Sequence, residues 1–353
     1  MSDGRWSRER AERWYADQPW WVGCNFTPST AVNQIEMWQA ETFDPATIER
    51  ELGWAASIGM NSVRVFLHDL VWEADARGFK ARIDRFLAIA SDVGIRTLFV
   101  LFDDCWFPPQ PGPQPEPIPG VHNSRWAQAP GHRVVADQTQ WGRLERYVRD
   151  IVGAFGNDER VCVWDLYNEP GNAFLSLATQ PIYRSVPLAF VTAFRHFVLP
   201  SPTLPLLRAA FEWARSVSPM QPLTAGLWAP NVQLNRLQLE ASDIVTFHQY
   251  AGAPRLERRI RALQSKHGRP VLCTEWLARR LGSRIETHLP IFEEHRVGCY
   301  CWGLVTGKIQ TQYGWESRPG SPEPRVWHHD LLRDDGTPFD PREIEIMRAR
   351  GGL

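Results

Sequence analysis

Two glutamates, each closing a short apolar run, are the residues of this chain best equipped for chemistry. VCVWDLYNEP (161–170) closes on Asn168-Glu169-Pro170, and PVLCTEW (270–276) carries Glu275. Each run is rich in Val, Leu and aromatic residues and short enough for a buried strand. A carboxylate placed where a buried strand surfaces is costly to desolvate unless it is paired or used. Two of them, on separate strands, are what hydrolysis of a glycosidic bond requires. One carboxyl protonates the leaving oxygen while the other attacks the anomeric carbon or activates water.

Such a pair works only if the fold brings it together, and the pattern around it indicates how. Strand-like runs occur at 20–26, 61–67, 97–104, 161–170, 222–228, 243–250, 270–276 and 298–305. Between them lie segments with helical periodicity, at 44–59, 80–93, 138–155 and 203–217, and a last one follows near 340–349. Alternation of this kind predicts a parallel α/β sheet. A doubly wound open sheet would show a glycine-rich phosphate loop after an early strand, and none is present. The expected fold is therefore a single (β/α)8 TIM barrel spanning 1–353, with 1–18 as an N-terminal extension and long loops on the catalytic face. In such barrels the site lies at the carboxyl ends of the strands. The polar residues of the runs gather there: Asp103, Asp104, Asn168, Glu169, His248, Tyr250 and Glu275.

Composition narrows the partners. The 353 residues carry a net charge of −1, which makes no electrostatic case for nucleic acid or an anionic membrane. No apolar stretch reaches the ~20 residues that span a bilayer. The first 20 residues lack the apolar core of a signal peptide, so a cytoplasmic location is expected, with secretion the alternative for a chain trimmed of its leader. The six cysteines are expected to be reduced and structural. His328-His329-Asp330 is read as surface or loop structure that needs no metal, and no cofactor is expected. Tryptophan is abundant at 17, with Trp72, Trp106, Trp228, Trp276 and Trp302 near strand ends, where an indole face can stack on a sugar ring.

At this point the chain resembles the clan A glycoside hydrolases and, within them, the cellulase-like family 5, over residues 20 to 305. Asn168-Glu169-Pro170 is similar to that family's motif after strand four, which implies Glu169 as general acid/base and Asn168 as a contact to the sugar 2-hydroxyl. The resemblance implies Glu275 as nucleophile and Arg64 as the arginine that keeps it ionised. It further implies that Tyr250 steadies the nucleophile, His248 contacts substrate, and Trp302 forms the platform beneath the sugar. The chain departs from the family at the end of strand three. Many members carry a histidine there, whereas this run reads Phe102-Asp103-Asp104-Cys105-Trp106. Asp103 or Asp104 either takes over contacts to sugar hydroxyls and raises the pKa of Glu169, or pairs with Arg64 or Arg125.

Three long segments, 104–136, 171–202 and 306–328, are expected to rise from the catalytic face. Rims of that size favour a pocket, hence exo attack on an oligosaccharide by a β-mannosidase or β-glucosidase type of enzyme. The alternative is an endo-β-1,4-glycanase acting on a polysaccharide, with Trp72, Trp106 and Trp126 lining subsites. A transglycosidase or phosphorolytic variant sharing the nucleophile and, from another class, a non-catalytic sugar-binding barrel also stay open. Oligomeric state is silent in the sequence.

Overall fold

The apolar runs become the strands of a parallel sheet that closes on itself. The computed structural model describes residues 4–172 and 200–351. Its strands are β1 (Val22–Asn25), β2 (Ser62–Phe66), β3 (Arg96–Asp103), β4 (Val161–Asn168), β5 (Leu223–Thr224), β6 (Val245–His248), β7 (Val271–Trp276) and β8 (Gly298–Trp302). They pair in the order β5-β4-β3-β2-β1-β8-β7-β6. The gap between β5 and β6 is bridged by Leu227, whose N–H donates to Thr246 O at 2.9 Å and whose carbonyl accepts from His248 N at 3.0 Å. The result is a (β/α)8 barrel. The run expected at 222–228 forms only a two-residue strand because its segments serve different neighbours: Leu223 and Thr224 pair with β4, and Leu227 with β6.

The described helices are α1 (Arg8–Ala16), α2 (Gln34–Trp38), α3 (Pro45–Ser57), α4 (Asp69–Ala74), α5 (Ala76–Asp92), α6 (His132–Ala136) and α7 (Trp141–Phe155). After residue 200 come α8 (Leu204–Ser216), α9 (Val232–Ala241), α10 (Ala253–His267), α11 (Ile285–Glu294) and α12 (Pro341–Arg350). Their limits follow local chemistry. Asp44 caps α3 by accepting from Thr47 N, and Pro45 takes the first turn, where no N–H is needed. Gly59 follows at φ 90 and lies where an added Cβ would stand 3.0 Å from Met347 O, so only glycine fits the turn into β2. α5 starts four residues before the expected 80 because Asp75 caps it through Gly78 N.

The strands are buried on both faces, as continuous apolar runs require. Outside, they meet the helical stripes, such as Ile83, Phe86, Leu87 and Ala90 of α5 and Leu144, Val148 and Ile151 of α7. Inside, Phe66, Leu98, Val100, Val163, Leu272 and Tyr300 fill the barrel. α1 lies across its amino-terminal end: Tyr15 Oη receives Gly298 N at 3.0 Å and donates to Arg296 O at 2.9 Å, while its ring sits edge-on to Trp21. That end is closed, leaving the carboxyl-terminal mouth for chemistry. Among the described residues no helix is long and apolar enough to cross a membrane.

Candidate active site

Asn168, Glu169, His248, Tyr250 and Glu275 come together at the carboxyl-terminal mouth, and register puts them there. Asp103 and Asn168 are paired across β3 and β4. His248 and Glu275 are paired across β6 and β7, where the register shifts so that Glu275 rather than Thr274 stands beside the histidine. Irregularities of this kind re-aim side chains at the rims of barrels.

Arg64, fully buried on β2, organises the floor. Its Nη1 donates to Glu275 Oε1 at 2.9 Å and to Asn25 Oδ1 at 2.8 Å, and its Nη2 to Asp165 Oδ2 at 2.8 Å and Asn168 Oδ1 at 2.7 Å. Nε completes the set at 3.2 Å from Asp165 Oδ2, so every N–H of the guanidinium is engaged. The other oxygen of Glu275 accepts from Tyr250 Oη at 2.8 Å. His248 Nδ1 stands between the carboxylates, 2.8 Å from Glu169 Oε1 and 3.3 Å from Glu275 Oε2. Glu169 Oε2 is held by Cys105 Sγ at 3.2 Å and by the Asn172 amide.

One oxygen of Glu169, one of Glu275 and a ring nitrogen of His248 lie within 4.8 Å of one another, the only trio among the described residues with metal-ligand spacing. Arg64 already supplies Glu275 with a cationic partner on one side, and His248 Nδ1 faces both carboxylates on the other. Glu169 itself sits at φ 43, a left-handed conformation that costs a non-glycine residue about 1–3 kcal/mol and that its side-chain partners hold in place.

Burial sets the electrostatics. Side-chain exposure is 13% for Glu169 and 6% for Glu275, and loss of solvent raises both carboxyls above the ordinary glutamate value. For Glu275, His248 and Arg64 oppose the rise and the neighbouring Glu169 adds to it. Burial lowers His248 to about 4, so its imidazole is neutral near pH 7. Its Nε2 is buried without a partner.

Around this centre stands an aromatic rim. Trp302 is 7% exposed, edge-on to Phe66 at 5.9 Å and to Trp126 at 5.6 Å. Trp106, half-buried, meets His122 at 5.8 Å, and His122 meets His329 at 5.3 Å. His329 meets Tyr250 at 5.6 Å, and Trp315, partly exposed, covers Tyr250 edge-on at 5.1 Å.

Several expectations need correction. His328, His329 and Asp330 are buried, not surface, because the segment after β8 folds back over the mouth and seats Asp330 on Thr311 Oγ1 at 2.8 Å. Asp103 and Asp104 pair with no arginine among the described residues. Asp103 accepts from Trp126 Nε1 at 2.7 Å, Asn168 Nδ2 at 2.9 Å and Cys105 N at 2.9 Å. Asp104 accepts from Tyr167 Oη at 2.8 Å, Gly171 N at 2.6 Å and Thr203 Oγ1 at 2.7 Å. Both are sealed from solvent, and that burial raises them to about 7 and about 6. Their observed partners are protein groups that set the ends of β3 and β4.

Trp126 is 1% exposed beneath Trp302, and Trp72 is tied to Asp150 Oδ2 at 2.7 Å against Tyr147, so neither lines an open groove. All six cysteines are free and buried, but Cys105 touches Glu169 and is not merely packing. Of the three long segments, 171–202 lies almost wholly outside the described residues.

Sequence reasoning missed Asn25, Cys105, His122, Asp165, Asn172 and Trp315. Asp165 carried a signal, since one charge inside VCVWDLY needs a buried partner and Arg64 inside SVRVF needs the same. Asn172 and Trp315 lie beyond the strand ends, where no local pattern encodes the course of the chain.

The sequence matches no protein-family profile and no curated protein. Solved structures share its fold. GH5_18 from Streptomyces cattleya, as a variant in complex with Manβ1-4GlcNAc, is 14% identical with a TM-score of 0.60, over 93% of this chain and 79% of that one. Exo-β-1,4-mannosidase Op5Man5 from Opitutaceae bacterium strain TAV5 is 19% identical with a TM-score of 0.58, over 94% of this chain and 59% of that one. The endo-β-1,4-mannanase from Thermotoga petrophila is 14% identical with a TM-score of 0.56, over 94% and 76%. At such identities the likeness is one of fold: the chain has the barrel architecture found in these glycosidases.

Proposed function

We propose that the protein is a retaining β-glycosidase. The observation that carries this reading is the approach of Glu169 and Glu275 to within 4.8 Å at the carboxyl end of a (β/α)8 barrel. Carboxyls about 5–5.5 Å apart leave room for direct attack at the anomeric carbon, whereas inverting enzymes need about 6.5–9.5 Å to admit a water.

Glu275 is the nucleophile. Arg64 and Tyr250 hold it ionised and fix its orientation, and it attacks the anomeric carbon as the leaving oxygen departs. Glu169, its proton affinity raised by burial, protonates that oxygen. Once Glu275 is esterified its charge is gone, the repulsion on Glu169 falls, and Glu169 is poised to take a proton from water in the second displacement. In this reading Asn168 contacts the sugar through the free lone pair of its carbonyl, Trp302 is the platform beneath it, and Trp106 borders the site. Chemistry at this centre needs no cofactor.

The reading extends to exo action on β-linked oligosaccharides, of β-mannosidase or β-glucosidase type. The nearly sealed carboxylates and the rim from Trp106 to Trp315 support a pocket, and the burial of Trp126 and the tie of Trp72 to Asp150 remove two platforms of an extended cleft. The neighbours named for mannosidase and mannanase activity agree with a β-manno substrate class.

The test is a panel of p-nitrophenyl β-glycosides beside β-1,4-linked oligosaccharides, with NMR of the first-formed anomer. A β-anomer released first from one chain end is the expected result. An α-anomer would overturn retention, and mid-chain products would replace exo by endo action.

A further inference from the structure

The reading of Glu169 as acid/base leaves one contact without a role, the thiol of Cys105. Its Sγ lies 3.2 Å from Glu169 Oε2 and receives Asn168 Nδ2 at 3.4 Å. Asp103 Oδ1 fixes both neighbours, accepting from Cys105 N at 2.9 Å and from Asn168 Nδ2 at 2.9 Å. The sulfur is thus seated by a buried network rather than by packing alone.

We propose that Cys105 is a positioning residue for Glu169: its thiol donates to the ionised carboxylate and turns to accept from the protonated carboxyl, holding Oε2 through both halves of the reaction. The inference rests on the acid/base role assigned above. Glu169 must carry a proton at one stage and lack it at the next, yet the groups facing it are donors. The Asn172 amide nitrogen has no lone pair to offer. His248 Nδ1 can accept only if its proton moves to Nε2, which is buried without a partner, at the cost of an unpaired donor. A thiol is both weak donor and weak acceptor, and rotation about Cβ–Sγ exchanges the roles without moving a heavy atom. Burial and the carboxylates of Asp103, Glu169 and Glu275 keep it protonated.

The titratable and charged groups around Glu169 are Arg64 from β2, Asp103 and Cys105 from the end of β3, His248 from β6, Tyr250 just after it, and Glu275 from β7. Only Cys105 is changed in the first experiment. In Cys105→Ala the ionised carboxylate loses a donor, so the alkaline limb of kcat/KM moves up by roughly half to one pH unit. kcat falls with KM nearly unchanged, and Cys105→Ser, which restores a hydroxyl, lies between that variant and the parent. An alkaline limb in Cys105→Ala that coincides with the parent's overturns the proposal.

The second experiment needs no substrate and no cysteine substitution. The infrared S–H stretch of the resting protein is compared with that of Glu169→Ala. One thiol band moving to higher frequency, as its acceptor disappears, supports the contact, and unmoved bands overturn it. A shifted band in a protein that cleaves no glycoside locates the failure in the glycosidase reading instead.

Discussion

Arg64 and Glu275 form an ion pair of 2.9 Å inside the barrel, with side-chain exposures of 0% and 6%. The same guanidinium holds Asp165 at 2.8 Å, so one buried cation answers two buried anions. Burial disfavours its charge, but Asp165 and Glu275 outweigh that and raise Arg64 above its ordinary value. Replacing Arg64 by Ala strands both carboxylates, and breaking a buried pair in this way costs about 3–5 kcal/mol. Urea unfolding at neutral pH is expected to show that loss, together with an upward move of the acid limb of activity as Glu275 loses its cation. A variant as stable as the parent would remove Arg64 from the centre of the network.

Glu275→Gln is expected to lower kcat on an aryl β-glycoside by roughly 10⁴-fold or more while far-UV circular dichroism stays unchanged, because the nucleophile is lost and its volume kept. Intact-mass analysis with a slow-turnover fluoroglycoside should label the parent and spare the variant. Parent-like rates would end the assignment of Glu275.

Glu169→Ala is expected to depend on the leaving group. Substrates with an activated phenol need little protonation, whereas natural linkages should lose about 10²–10⁴-fold. Azide, which can enter the vacated space, should restore turnover and yield a β-glycosyl azide. Equal losses on both substrate classes would contradict a general acid/base.

The pH dependence follows from the two raised carboxyls. Activity should fall at low pH as Glu275 becomes protonated and at high pH as Glu169 loses its proton, giving a bell displaced upward from the range of free glutamates. The two limbs belong to the coupled pair. With an activated substrate, Glu169→Gln should abolish the alkaline limb and keep the acid one, and a retained alkaline limb would refute its assignment to Glu169.

Tyr250→Phe removes the 2.8 Å hydrogen bond to Glu275 Oε2 and nothing larger than a hydroxyl. A bond to a charged acceptor is worth about 1.5–3 kcal/mol, so kcat/KM should drop roughly 10- to 100-fold and the acid limb should move up. An unchanged profile would make the tyrosine a packing residue.

Much of this arrangement was legible before any coordinates. The eight runs kept their places, and Glu169 and Glu275 ended on β4 and β7 as their flanking residues indicated. Arg64 lies inside the barrel, where its one charge pairs with both Asp165 and Glu275. The surroundings of Asp103 and Asp104 are not legible in the sequence, because a carboxylate at a strand end looks the same whether it faces ligand or protein. What distinguishes them is the set of donors from Trp126, Asn168, Thr203 and Gly171, which are distant in sequence. His328 and His329 lie in a loop, one of the two readings open to them, but their burial is not legible because loop residues show no periodicity to betray it.

By itself the sequence determined the barrel and the strand ends at which Glu169, His248 and Glu275 stand. Alternating apolar runs and amphipathic stripes are local properties, and a strand end is a local position. Only the tertiary structure decided that His248 lies between two carboxylates, that Cys105 touches Glu169, and that the segment after β8 closes over the rim. Those relationships depend on strand register, on a slipped residue in β7 and on loop paths, which are set by packing among residues far apart along the chain.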